Sequence, residues 1–163
     1  STGQRVLVWE DCGKLPWGIL ILFGGGLTLA AQIQQSGLAD YIATQVGAIG
    51  AINLLLLIVL VTTIIIFLTE VTSNTATAAA FIPLLGPVAV SLNTSASMLV
   101  VPAAIAASWA FMMPVATPPN AIVFGSGKLK IADMVKAGLV LNLVAIGVIT
   151  VAVWFISPYL FDF

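Results

Sequence analysis

Charge is what this chain lacks. Only 7% of its 163 residues are charged, against 61% hydrophobic, and no charged residue lies between Glu70 and Lys128. A soluble globular domain is about a quarter charged, so this is the composition of an integral membrane protein. Histidine is absent and Cys12 is the lone cysteine, which excludes His/Cys metal centres and disulfides within the chain. Five Lys+Arg against six Asp+Glu leave no basic patch for nucleic acid. With one deep acid, Glu70, and no histidine, the usual acid–base and nucleophile pairs cannot be assembled, so an enzyme is not expected. Nor is there a Thr-Val-Gly-Tyr-Gly filter of the kind that lines cation channels.

What is present is a series of apolar stretches with room for about four to six embedded helices. The chain begins Ser1-Thr2-Gly3, without an initiator Met or a signal-peptide pattern, and reads as a piece of a longer polypeptide. Residues 1–14, with Arg5, Glu10, Asp11 and Lys14, suggest an interfacial connector. A transmembrane helix follows over 15–35. Its Gly24-Gly25-Gly26 lacks the Lys and preceding strand of a phosphate loop, and suits close helix–helix approach instead. Residues 36–50 form a polar turn and a weakly amphipathic helix. Residues 51–92 read as a re-entrant hairpin with its tip at 72–75, residues 97–127 as a broken transmembrane helix, and 134–157 as the final span. Trp154 and Tyr159 are placed like interfacial anchors. Orientation by the positive-inside bias puts Lys14, Lys128, Lys130 and Lys136 on the cytoplasmic side.

Two polar, helix-breaking clusters interrupt this apolar sequence: Thr72-Ser73-Asn74-Thr75 and Thr117-Pro118-Pro119-Asn120. A bilayer tolerates non-helical backbone only where it is buried in protein or lines a watery cavity. Ser, Asn and Thr favour helix N-caps, and prolines suit the first turn of a new helix. Each break therefore presents a helix N-terminus with free N–H groups, a natural anion site without Lys or Arg. The carbonyls that close the preceding half-helices, expected near Thr69 and Ala116, suit a cation. Discontinuous helices serving an anion and Na⁺ together are a recurring transporter design.

At these residues the sequence resembles the divalent anion:sodium symporter family, the sodium-coupled di- and tricarboxylate transporters. The resemblance rests on Leu68-Thr69-Glu70 leading into Thr72-Ser73-Asn74-Thr75-Ala76-Thr77-Ala78-Ala79, and on the nearly unbroken stretch from Phe111 through Met112-Met113-Pro114-Val115-Ala116-Thr117-Pro118-Pro119-Asn120 to Gly127. It implies an all-α, elevator-type transporter of the cell (inner) membrane, multi-pass and homodimeric, built from two inverted repeats. It implies that Ser73, Asn74, Thr75, Thr117 and Pro118 contact a dicarboxylate of the succinate, malate or fumarate class. It further implies that Thr69, Thr72, Asn74, Ala116 and Asn120 surround one Na⁺, largely through backbone carbonyls. Such a transporter has two Ser-Asn-Thr motifs and this chain has one, so it would supply half of the site.

Two alternatives read the residues differently. A proton-coupled small multidrug exporter would use Glu70 as the exchanging carboxylate, because intramembrane acids are usually functional. A non-transporting membrane subunit would use the polar clusters only as packing glue.

Overall fold

A computed structural model describes Trp9, Gly13, Leu15 and residues 17–48 and 53–160. Apart from Trp9 and Gly13, the connector expected over 1–14 lies outside the described residues, as do residues 49–52, the C-terminal 161–163 and the side chain of Tyr159. The described residues fold into helices α1 (Trp17–Gln35), α2 (Leu38–Ala48), α3 (Leu54–Thr69), α4 (Asn74–Ser91), α5 (Ser97–Ala106), α6 (Pro118–Gly125) and α7 (Ile131–Leu160), with no strand among them.

Two groups of helices make the architecture. Helices α3, α5 and α7 pack on one another around Ile58, Ile65, Ile66, Leu99, Ala103, Ala106, Ala145 and Ile149. Helices α1, α2 and α4 meet around Ile33, Ala39 and Val88, and α4 joins the groups by packing against α5. The turn from α1 to α2 passes through Gly37 at φ +73°, a left-handed conformation that costs glycine little.

The outward faces are as apolar as the interior. On α3, Ile58, Thr62, Ile65 and Thr69 recur at helical spacing on the buried side, while Leu56, Leu60, Ile64 and Phe67 are exposed. On α7 the polarity is inverted: Asn142, Thr150 and Ser157 are buried, and Val140, Leu143, Val144, Val148, Val151 and Phe155 face outward. Water would favour the opposite arrangement, whereas hydrocarbon solvates the apolar face and leaves polar groups to the helix interface. Helices α4 and α7 are long and apolar enough to cross a membrane. At a rise of 1.5 Å per residue, the 16 residues of α3 reach about 24 Å, short of the ~30 Å hydrocarbon core.

Local chemistry sets the irregular points. Pro83 and Pro87 lie inside α4, and a proline cannot donate to the carbonyl one turn back. The Ala79 carbonyl freed by Pro83 is the surface against which α1 settles. A Cβ at Gly26 would fall 2.7 Å from the Ala79 oxygen, whereas Gly24 and Gly25 face open space. Of the glycine triplet, then, Gly26 alone makes the close helix approach.

The second break begins earlier than the sequence suggests. The half-helix expected to end near Ala116 ends at Ala106, with Ala107 as its C-cap, and residues 107–117 run without regular helix to Thr117. The cause is tertiary. The N–H groups of Phe111, Met112 and Met113, which helical continuation would have paired with the carbonyls of Ala107, Ser108 and Trp109, are taken instead by the Glu70 carboxylate.

Candidate functional site

The first break starts where α3 stops. Thr69 ends the helix, Glu70 caps it in an α conformation, and Ser73 opens α4 with an extended backbone, its Oγ accepting from the Ala76 N–H at 3.5 Å. Thr72 Oγ1 donates to the Leu68 carbonyl at 2.9 Å and lies 2.6 Å from Thr77 Oγ1. These bonds lie within α3, the turn and the start of α4.

Thr69 and Glu70 reach outward from that turn. Thr69 is fully buried, and its hydroxyl faces two acceptors, Asn74 Oδ1 at 2.6 Å and the Ala107 carbonyl at 3.0 Å. Glu70, 3% exposed, is buried among N–H groups. Phe111 N–H donates to Oε1 at 2.7 Å, Met112 N–H to Oε1 at 2.9 Å and to Oε2 at 3.0 Å, and Met113 N–H to Oε2 at 3.0 Å. Asn142 Nδ2 completes the shell at 2.7 Å from Oε1. Three successive backbone N–H groups directed at one anion form a concavity of the kind that binds phosphates and carboxylates elsewhere.

The far end of the 107–117 segment is fixed by α6. Thr117 is its N-cap, accepting from Asn120 N–H at 3.4 Å, with Pro118 and Pro119 in the first turn. Asn120 Nδ2 donates to the Ala110 and Met113 carbonyls, both at 3.0 Å, and Ala116 N–H donates to Met113 O at 3.2 Å. The segment is therefore a folded loop. It is seated on Glu70 at one place and stitched to α6 at another.

Helix α7 leaves room for this loop. A Cβ at Gly138 would fall 2.6 Å from Met112 Cα and closer still to the Phe111 carbonyl. Gly138 and Asn142, one turn apart, thus supply the notch and the clamp from the same helix face.

Among the expected site residues, Thr69 and Asn74 meet directly, and Ala116 and Asn120 lie in the loop network that Glu70 holds. Ser73, Thr75 and Pro118 are exposed, and no hydrogen bond joins the 73–75 tip to Thr117 or Pro118 among the described residues. Helix α6 has no buried residue, and a cleft lined by Phe111, Asn120, Val123, Met134, Gly138 and Leu141 separates it from α7. Two contributors escaped the sequence reading, Gly138 and Asn142. Asn142 carried a usable signal, since it is the one amide side chain in the last apolar span. Nothing but the fold marks Gly138 apart from Gly147, which meets nothing within 4 Å. The exporter reading required an accessible carboxylate. Glu70 is instead enclosed, with both oxygens occupied by N–H donors.

The profile of the sodium:sulfate symporter transmembrane region matches residues 3–161. The sodium-dependent dicarboxylate transporter SdcS of Staphylococcus saprophyticus is 48% identical over 155 residues, and those of Staphylococcus aureus strains MRSA252 and USA300 are 47% and 46% identical. Each comparison covers 95% of this chain and 30% of the relative, so the chain spans less than a third of the length of these relatives. With the profile matched over nearly its whole length, this multi-pass cell-membrane chain belongs to the sodium:sulfate symporter family.

Proposed function

We propose that this chain supplies half of the substrate and sodium site of a transporter that moves dicarboxylates of the succinate, malate or fumarate class, coupled to Na⁺. The observation that carries the reading is the irregular segment 107–117. The α3–α4 turn holds it at one end and the first turn of α6 at the other, so two capped helix N-termini flank one junction. The N-terminus of α4, bearing Ser73, Asn74 and Thr75, and that of α6, bearing Thr117 and Pro118, would receive the carboxylates through N–H groups and hydroxyls. No fixed cation then opposes release.

Sodium travels with the substrate as the coupling ion. Oxygen donors suit it, and the residues present supply them: carbonyls at Thr69, Thr72, Ala116 and Asn120, and the Asn74 side chain. The Thr69 hydroxyl has one hydrogen for its two acceptors. Turning the Asn74 amide resolves the conflict, because Nδ2 then donates to Thr69 while Thr69 donates to Ala107. Asn74 Oδ1 is thereby freed for the ion.

The remaining parts follow from the same reading. The short reach of α3 supports a re-entrant hairpin of α3 and α4 with its tip inside the membrane. The second Ser-Asn-Thr half-site, the homodimer contact and the elevator movement would be supplied by parts of the transporter outside this chain. The test is uptake of labelled succinate into proteoliposomes holding a full-length transporter that carries this segment, with and without an inward Na⁺ gradient. Gradient-driven accumulation is expected. Uptake indifferent to sodium would point to exchange or proton coupling, and no uptake from folded protein would remove this substrate class.

A further inference from the structure

We infer that Glu70 is a positioning residue: its carboxylate seats the 107–117 loop on the end of α3 and so fixes the spacing between the two groups of sodium-binding carbonyls. The inference rests on the sodium site proposed above and goes beyond it, since Glu70 touches neither ion nor substrate in that proposal. Three features of the geometry point the same way. Glu70 follows Thr69 directly, so whatever holds its side chain also orients the Thr69 carbonyl. Among the described residues, all five hydrogen bonds to the carboxylate come from four N–H groups, three of them consecutive in the loop and the fourth that of Asn142. The loop residues it grips lead straight to Ala116 through the Ala116 N–H to Met113 carbonyl bond, and to Asn120 through the same carbonyl.

Both carboxylate oxygens accept from N–H donors, so the side chain is held at two points rather than one. Helix α7 braces the arrangement from behind, with Gly138 admitting the loop and Asn142 anchoring the anion. The spacing of the carbonyls is thus set before any ion arrives. A preorganised ligand set binds more tightly than one that must be ordered by its ion.

The test is sodium-dependent uptake of labelled succinate by the full-length transporter carrying this segment, measured across external Na⁺ concentration. Glu70→Gln places an NH₂ group against N–H donors and is expected to raise the Na⁺ concentration for half-maximal uptake by about tenfold or more, a typical size for coupled sites. The rate at saturating Na⁺ should be largely recovered. Asn142→Ala removes one donor of four and is expected to shift half-saturation in the same direction by a smaller factor. It also serves where Glu70→Gln does not fold. Na⁺-induced thermal stabilisation of the purified variants should weaken in parallel. Folded variants with lower maximal rates but unchanged half-saturation would overturn the inference, leaving Glu70 a packing element. A pH dependence abolished by Glu70→Gln, with half-saturation for Na⁺ unmoved, would overturn it in favour of a proton carrier. Wild-type uptake indifferent to Na⁺ would overturn the proposed function and the inference with it.

Discussion

Asn142 on α7 and Glu70 at the end of α3 are 72 positions apart in the chain and 2.7 Å apart in space, amide nitrogen to carboxylate oxygen. Both are buried, Asn142 completely. Asn142→Leu keeps the volume roughly but removes the donor, leaving the carboxylate with backbone partners alone. Hydrogen bonds to charged groups contribute about 1.5–3 kcal/mol, and a loss of that size is expected in the thermal stability of the detergent-solubilised transporter. Combining Asn142→Leu with Glu70→Gln should cost less than the sum of the two, because they share one interaction. Additive losses would separate the two residues energetically.

Gly138 should tolerate no side chain. Gly138→Ala drives a methyl group into the Phe111–Met112 backbone, and overpacking of this kind costs about 1–3 kcal/mol. Gly147→Ala on the same helix meets nothing within 4 Å and should leave the melting temperature unchanged or slightly higher. Equal effects of the two substitutions would mean that the loop does not press on α7 at 138.

The glycine triplet of α1 offers a similar contrast. Gly26→Ala collides with the Ala79 carbonyl, whereas Gly24→Ala and Gly25→Ala enter open space. Only the first should lower stability. A melting series of the three variants decides the matter.

Thr117 is expected to act twice, as helix cap and as substrate contact. Thr117→Ala should cost about 0.5–2 kcal/mol of stability from the lost cap and should raise the succinate concentration for half-maximal uptake. Thr117→Ser keeps the hydroxyl and should restore most of both. Loss of stability with unchanged substrate dependence would confine Thr117 to the cap.

Thr69 separates hydroxyl from carbonyl chemistry. Thr69→Val keeps the shape and the backbone carbonyl but loses the bonds to Asn74 and Ala107, so Asn74 is freed to rotate. Weaker dependence of uptake on Na⁺ is the expected result, and Thr69→Ser should behave nearly as the wild type. Unaltered sodium dependence in Thr69→Val would remove Asn74 Oδ1 from the coordination shell.

Much of this was legible because local rules govern it. Ser73 and Thr117 cap helices for reasons contained within four residues, and Pro118-Pro119 suits a first turn wherever it occurs. The apolar stretches follow from composition alone. The end of α5 was not legible, because Met98 to Val115 is uniformly apolar or small, and periodicity cannot tell a helix from a buried loop whose N–H groups find a distant acceptor. That acceptor is Glu70, 41 residues upstream of Phe111. Gly138 was hidden for the same reason, its role being defined by what packs on it, whereas Asn142 stood out as an amide in an apolar span but its partner did not.

The Phe111–Met113 backbone is, in chemical terms, a receptor for a carboxylate, and this chain keeps that receptor filled with a group of its own. A tethered ligand acts at an effective concentration set by chain geometry rather than by the surrounding solution. A dicarboxylate, the substrate class proposed above, would therefore meet a surface from which this one pocket has been withdrawn, however abundant it became. Selectivity on that reading would include deafness: a place that could have recognised a carboxylate is already answered from within.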